Sequence, residues 1–571
     1  MIQLSIKTYS IHAVESVGRD EVRTSGSCSQ PSTTIIQQAS SDCSAVGPVS
    51  QLERKDAEIE WQSFWQEGSL SDVMSALGRA FSAEYKLECL QLVRSIKIYK
   101  GLVAYVYAQQ RIENGKPDIF ESIRQALSEW ESWDDPECLS GHAIIRNKLW
   151  IILQEGSSHQ KPASQDIDLQ KIIDFDLETM RIKAMVILTD RREKKIFLSL
   201  CCTNPIPAMD LLQILLDTPN LPMQSHSQLA WALSRLAKMS GCYPNGLILG
   251  DIRRTETHPI AGGGFADVWK GSFIEQPVAL KAFRIFQKSP QEKALNEFAR
   301  EAVIWRQLRH PNILPFYGVF KGDEHFDRLC LVSPWMDEGN VMEYLSKHVE
   351  SNRISLLRDV ASGLEYLHGF EPAIVHGDLK GANIFFTSSN VACLGDFGLA
   401  RFRDSQESSF SATTGNSVAG TLRWQAPELF VSRENGEHIH ATPESDIYSF
   451  GCVCIEILTG KRPFAEISND AAVMLAVVNK RKPQRPDEDL LRCGLDDSLW
   501  ETMERCWDIN PYLRPPTHRL VKYFEQRKDL GPRGNDTCEH AEIPNALRCS
   551  LGQYGFPDDY VDSVSARQVL I

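Results

Sequence analysis

The chain has 571 residues, 42% of them hydrophobic, and a formal net charge of −14. The apolar fraction excludes a wholly disordered chain, the length allows more than one domain, and the acidic balance disfavours wholesale binding to nucleic acid or to an anionic membrane. No unbroken run approaches the ~20 apolar residues that span a bilayer, and the opening MIQLSIKTYSIHAVESVGRDEV lacks the basic start and apolar run of a signal peptide. The 15 cysteines are scattered, with Cys201-Cys202 the only adjacent pair, and the HIH at 438–440 stands alone. They read as free thiols in a reducing compartment rather than a disulfide frame or a zinc site. These features predict a soluble, cytoplasmic protein, with nuclear access left open and no membrane span.

Residues 1–54 are rich in Ser, Thr, Gln and Gly with few apolar anchors, which predicts disorder. From 55 to 243 the pattern is helical. Trp61, Phe64 and Trp65 fall at helical spacing, and Cys89, Leu92, Ile96, Tyr99, Val103 and Val106 form one apolar stripe. Leu211, Leu212, Leu215 and Leu216 repeat the pattern, as do Leu229, Leu233 and Leu236, after which Gly241 is a C-terminal stop. This stretch holds no catalytic constellation, and it is expected to be a regulatory or interaction region with a protein partner that the sequence does not identify.

Short β-branched runs broken by glycine follow Tyr243, as in DVWKGSF, PVALKAF and RLCLVSPW, and predict an antiparallel sheet. Helical patterns return after Gly339 and continue to about 528, and 529–571 reads as a disordered tail. Within the sheet region, HPIAGGGFADVWKG (258–271) sets glycines between two strands flanked by Ile260 and Val268. Glycine lets backbone N–H groups approach phosphate oxygens, but these residues alone read equally well as a plain hairpin. In VALK, Lys281 is set among apolar residues, a costly place for a cation unless an anion meets it. The segment SPQEKALNEFAREAVIWRQLRHPNIL then predicts a helix opened by a capping box of Ser289, Pro290 and Glu292. Its inner face carries Phe298, Glu301, Trp305 and Leu308, so Glu301 is a carboxylate among apolar neighbours and suited to pair with Lys281.

Further on, IVHGDLKGANIFF supplies Asp378, Lys380 and Asn383, and CLGDFGLA supplies Asp396 after a short strand, a carboxylate suited to Mg2+. GTLRWQAPE, SDIYSFG and INPYLRPP follow in that order. This ordered set resembles a eukaryotic protein kinase domain over about residues 250–528, roughly half the chain. LRHPNILPFYGVF and the LRW before APE make it most similar to the tyrosine-kinase-like group, which mostly phosphorylates Ser and Thr.

The resemblance implies an α+β, bilobal fold: a small antiparallel β lobe with one helix, and a large helical lobe. It implies ATP and Mg2+ as cofactors and Ser/Thr-containing proteins as substrates. Lys281 would hold the α- and β-phosphates and pair with Glu301. Asp378 would orient the substrate hydroxyl and take its proton, Lys380 would neutralise the γ-phosphoryl, and Asn383 and Asp396 would bind Mg2+. The nucleotide would be lined by Ile260, Ala261, Gly262, Gly263, Gly264, Val268, Ala279, Ser333, Trp335 and Met336. Ser333 takes the gatekeeper position, and because Pro334 has no N–H, hinge donors are expected from the backbone near Trp335 and Met336. Glu428 and Arg514 are expected as a buried pair in the helical lobe, and Asp446 as the group that fixes the catalytic-loop backbone.

Four positions depart from the family pattern. Ala261 and Ala266 stand where the loop usually has glycine. Gly377 stands where the family has an arginine that neutralises an activation-loop phosphate, which predicts activity less dependent on phosphorylation of the Ser/Thr-rich stretch 401–421. Trp305 replaces a smaller apolar residue behind Glu301. The expected activity is therefore a protein Ser/Thr kinase, with a pseudokinase or nucleotide-binding scaffold as the alternative.

Overall fold

The computed structural model describes residues 180–527 except 219–220, 263–265, 285–290, 388, 404–420, 432–439 and 487–492, with a few helical positions at 136–141 and 177. Several expectations lie outside the described residues: the segments 1–54 and 529–571, the stripe from Cys89 to Val106, the capping box at Ser289 and Pro290, and most of 401–421. Among the described residues no helix is long and apolar enough to cross a membrane.

Among the described residues, helical segments precede the sheet, including 180–189, α1 (Arg191–Leu200), α2 (Pro205–Leu216) and α3 (Met223–Ser240). Asp190 caps α1 by accepting from the N–H groups of Arg192 and Glu193, while Pro205 opens α2, where a missing N–H costs nothing. Gly241 ends α3 at φ +68°, as its sequence position predicts. A side chain there would strike Asn296 Oδ1, 2.7 Å from the place of a Cβ. The glycine thus both reverses the chain and lets α3 lie close to the next helix.

The sheet is antiparallel. Strands β1 (Arg253–Arg254), β2 (Ala261–Gly262), β3 (Ala266–Phe273), β4 (Gln276–Phe283), β5 (Gly318–Phe320) and β6 (Cys330–Pro334) run in the order β1-β3-β4-β6-β5, with β2 also paired to β3. Alternation along β4 sends Val278, Leu280 and Ala282 into a core with Trp269, Phe273, Tyr317 and Val332. Ala279 and Lys281 are therefore left on the opposite face, where α4 (Gln291–Gln307) packs.

The larger lobe contains α5 (Val341–Lys347), α6 (Arg353–His368), β7 (Ile374–Val375), β8 (Ile384–Phe386), β9 (Ala392–Leu394), β10 (Arg401–Phe402), α7 (Pro443–Thr459), α8 (Asp470–Val478), α9 (Asp497–Cys506) and α10 (Thr517–Glu525). Two-stranded ladders β8-β9 and β7-β10 frame the segments between them. Capping boxes open α5 at Asn340 and α7 at Thr442. Thus the fold is α+β and bilobal.

Arg514 ties three segments of this lobe together. Its guanidinium meets both carboxylate oxygens of Glu428, at 2.6 and 2.8 Å, and donates to the carbonyls of Asp508 and Glu444. Arg514 is buried whereas Glu428 is only partly so, and removing one member of such a pair strands the other. Arg514→Ala should therefore cost about 3–5 kcal/mol, read as a lower urea midpoint at unchanged slope; a midpoint within error of wild type would contradict this role for Arg514.

Candidate active site

The site lies where the cleft-facing side of β4 meets α4 and the loops of the larger lobe. Lys281 Nζ is 2.7 Å from Glu301 Oε1 on α4 and 2.6 Å from Asp396 Oδ1. Glu301 is buried and Asp396 half-exposed. Burial opposes the Lys281 ammonium, but Asp396 and Glu301 outweigh it and raise its pKa above the usual lysine value. For Glu301 the balance falls the other way, and desolvation raises its pKa despite Lys281. The half-exposed Asp396 is held below the ordinary range: desolvation pushes its pKa up, but Lys281 outweighs that effect.

Asp396 adopts φ +59° and ψ +71°, a left-handed conformation uncommon for a residue with a Cβ. The next residue, Phe397, is fully buried. It packs against Trp305 with ring centroids 5.7 Å apart and against His376 at 5.4 Å. Trp305 also sits 5.2 Å from Phe316, and its indole N–H donates to the carbonyl of Leu314 at 2.7 Å. The large residue behind Glu301 is thus accommodated with its one polar atom satisfied.

Below the cleft, the backbone N–H groups of His376 and Gly377 both donate to Asp446, at 2.8 and 2.9 Å. His376 is buried, with Nε2 3.1 Å from the carbonyl of Gly395 and Nδ1 facing the N–H of Asp378, so its ring orders the loop backbone. Asp378 Oδ2 accepts from Lys380 Nζ at 2.9 Å and from Asn383 Nδ2 at 3.0 Å. Its other oxygen, Oδ1, is buried without a partner among the described residues. Lys380 also reaches Thr421 Oγ1, at 3.0 Å. The N–H of Gly395 donates to the carbonyl of Asn383 at 2.9 Å, which brings Asn383 beside Asp396 in space though thirteen positions separate them.

At the sheet edge of the cleft, Ile260 N–H donates to Val268 O, and Ala279 is paired with Ser333. Neither Ala261 nor Ala266 has positive φ, so their methyl groups carry no left-handed strain. Gly262 is described, whereas Gly263 and Gly264 lie outside the described residues. The hinge differs from expectation in one respect. The Trp335 N–H donates to Pro277 O at 3.1 Å and is not a free donor, whereas the Met336 N–H has no acceptor among the described residues. The Trp335 ring instead lies under the Lys270 ammonium, 4.8 Å from its centroid.

Gly377 has φ +77°, and a Cβ there would lie 3.2 Å from the carbonyl of Leu399. Glycine is the one residue without strain at this position. The sequence did not point to Glu456, a single acid within the apolar run GCVCIEILT of α7. It accepts from Gly381 N–H at 2.7 Å and from Trp424 Nε1 at 2.6 Å, anchoring the loop from beneath.

Burial pushes the Glu456 carboxyl from 4.5 up to about 7, against those two hydrogen bonds. Between these values the folded chain holds a proton that the unfolded chain has lost. Stability should therefore be highest below about 4.5 and fall as pH rises through about 7, by at most on the order of 3 kcal/mol from this group. Melting temperatures from pH 5 to 8 test this: the decline should be steeper in wild type than in Glu456→Gln, and parallel curves would refute it.

A two-lobed α+β domain whose cleft holds a lysine between two carboxylates, above a loop of acid, lysine and amide, has the protein-kinase fold. Residues 255–524 match the family described as protein tyrosine and serine/threonine kinase. The chain is 32% identical to the serine/threonine-protein kinase STY46 of Arabidopsis thaliana, over 49% of this chain and 45% of that protein. It is 30% identical to the dual specificity protein kinase splA of Dictyostelium discoideum, over 48% of this chain and 11% of that protein. Identity to the serine/threonine/tyrosine-protein kinase HT1 of Arabidopsis thaliana is 27%, over 51% of this chain and 70% of that protein. The chain thus spans less than half the length of the first two. Over these residues the chain is similar to a protein kinase domain, and its likeness to these kinases is consistent with the tyrosine-kinase-like type.

Proposed function

We propose that this chain is an active protein Ser/Thr kinase of intracellular signalling, which transfers the γ-phosphoryl of Mg-ATP to protein hydroxyls through a catalytic domain of about residues 250–528. The observation that carries this reading is Asp378. One carboxylate oxygen is held by Lys380 and Asn383, and the other, Oδ1, is buried with no partner among the described residues. A buried carboxylate oxygen left unsatisfied is costly unless a donor arrives, and a substrate hydroxyl is such a donor.

In this reading Oδ1 accepts the hydroxyl hydrogen, orients the oxygen for in-line attack and takes the proton as the new P–O bond forms and the bond from the γ-phosphorus to the departing ADP breaks. Lys380 stays within reach of the transferred group and offsets its charge, and Lys281, positioned by Glu301, holds the α- and β-phosphates. Met336 N–H and the Pro334 carbonyl meet the purine edge between Ala279, Val268 and Ile260, and the buried Ser333 side chain leaves room behind it. Among the described residues no cluster of three or more His, Cys, Asp or Glu is arranged around a metal. The donor set of Asn383 and Asp396 nonetheless suits Mg2+, which commonly binds through one or two protein oxygens together with substrate phosphates and water. When bound, the ion neutralises phosphate charge. A second reading, a scaffold that binds nucleotide without turnover, rests on the sequence departures at Ala261, Ala266 and Gly377.

Phosphoryl transfer to mixed Ser/Thr and Tyr peptides separates the two readings. Lys281→Met and Asp378→Asn should each lower the rate about 10²-fold or more. Label should appear on Ser and Thr; equal background in wild type and both variants would establish the scaffold, and label on Tyr alone would overturn the specificity. Because residue 377 is glycine rather than arginine, phosphatase treatment should leave the rate nearly unchanged. A loss of about tenfold would show that an activation-loop phosphate finds another partner.

A further inference from the structure

Helix α4 is unusual in that it is buried on all sides from Phe298 to its end at Gln307. With about 100° between successive residues, Phe298, Glu301 and Trp305 share one face, and Ala299, Val303, Arg306 and Gln307 lie on the other side. The first face meets the sheet and Phe397, since Phe298 packs edge-on to Phe283 and Trp305 lies against Phe397. The second meets the helices that precede the kinase domain. Gln307 Nε2 donates to Gln213 Oε1 at 2.8 Å.

At the centre of this contact is Asp217, whose side chain is 1% exposed. It stands at the C-terminal end of α2, where the helix dipole disfavours a negative charge, and burial adds to that penalty. Three donors offset both costs: Arg306 Nη2 at 2.9 Å, Arg309 Nη2 at 2.8 Å and Gln213 Nε2 at 3.1 Å. The two arginines belong to α4 and the residues just after it. Helix α3 also reaches the larger lobe, where Ser227 Oγ accepts from Glu371 N–H at 3.2 Å and His226 packs against Phe370.

We propose that Asp217 is a positioning residue for phosphoryl transfer: by gripping Arg306 and Arg309 it holds α4 in the setting where Glu301 meets Lys281. The proposal rests on the kinase reading above. Arg306 lies five residues from Glu301 on one rigid helix, so a displacement at this end carries the carboxylate with it. Since the Lys281–Glu301 contact is 2.7 Å, a shift of about 1 Å already breaks it. The helices before the catalytic domain are then part of its active form, and their first partner is the chain's own α4.

The test uses the full chain. Asp217→Asn keeps the size of the side chain and removes its charge. The expected result is a loss of about tenfold in kcat/KM with a raised KM for ATP, and faster amide hydrogen exchange in residues 291–307 while α7 exchanges as in wild type. Wild-type exchange in α4 would overturn the proposal, and so would equal acceleration in α4 and α7, which marks a purely structural role. If Asp217→Asn does not fold, Arg309→Ala decides, because it leaves Arg306 in place. Faster α4 exchange with about a threefold loss of rate is then expected, and unchanged exchange refutes it. Absence of transfer by wild type would sink the kinase reading instead, while exchange in α4 would still report whether Asp217 holds the helix.

Discussion

The Lys281 ammonium sits between Glu301 at 2.7 Å and Asp396 at 2.6 Å in a setting where burial opposes its charge. These three groups come from β4, from α4 and from the segment after β9, and none could keep its place alone. Lys281 without the acids would be a cation facing low dielectric, and Glu301, buried on an apolar helix face, would be neutralised without the lysine. The relative placement of sheet, helix and lower lobe is therefore bound to one ionic contact. Phe397 and Trp305 close the space behind it, so that the contact is backed by packed aromatic surface.

Buried acids do related work under the catalytic loop. Asp446 receives two consecutive backbone N–H groups and Glu456 a third, all of them donors that no helix or sheet ladder satisfies. Such groups must be paired once removed from water. The same contacts therefore satisfy the loop and fix where Asp378 points. Gly377 allows the loop its left-handed turn without strain, a physical benefit at the position where family members carry a charged side chain.

The helices before the sheet extend this logic outward. A helix buried on all sides needs a second partner besides the sheet, and α3, with Gly241 at its end, comes close enough to supply it. Asp217 adds a charged grip to that apolar contact. The small lobe is thereby held from the cleft by Lys281 and from behind by Asp217.

Much of this was legible in the sequence. The order of VALK, HGD, GDFG and APE pointed to the fold class and named Lys281, Asp378, Asn383 and Asp396 as candidates, the inner helix face named Glu301, and periodicity marked α2, α3 and the stop at Gly241. Local chemistry sufficed there, because strand alternation, helical spacing and glycine freedom act over a few residues. The sequence did not reveal Glu456 or Asp217 as anchors, the engagement of the Trp335 N–H by Pro277, or the freedom of Ala261 and Ala266 from backbone strain. Each depends on what the chain brings alongside from far away: Asp217 meets arginines 89 and 92 positions on, and Gly381 meets Glu456 across 75. By itself, then, the sequence determined which chemical groups the chain carries and in what local order. Tertiary structure alone decided which buried charges face one another, because the sign and size of that energy depend on distance and solvent exclusion rather than on position along the chain.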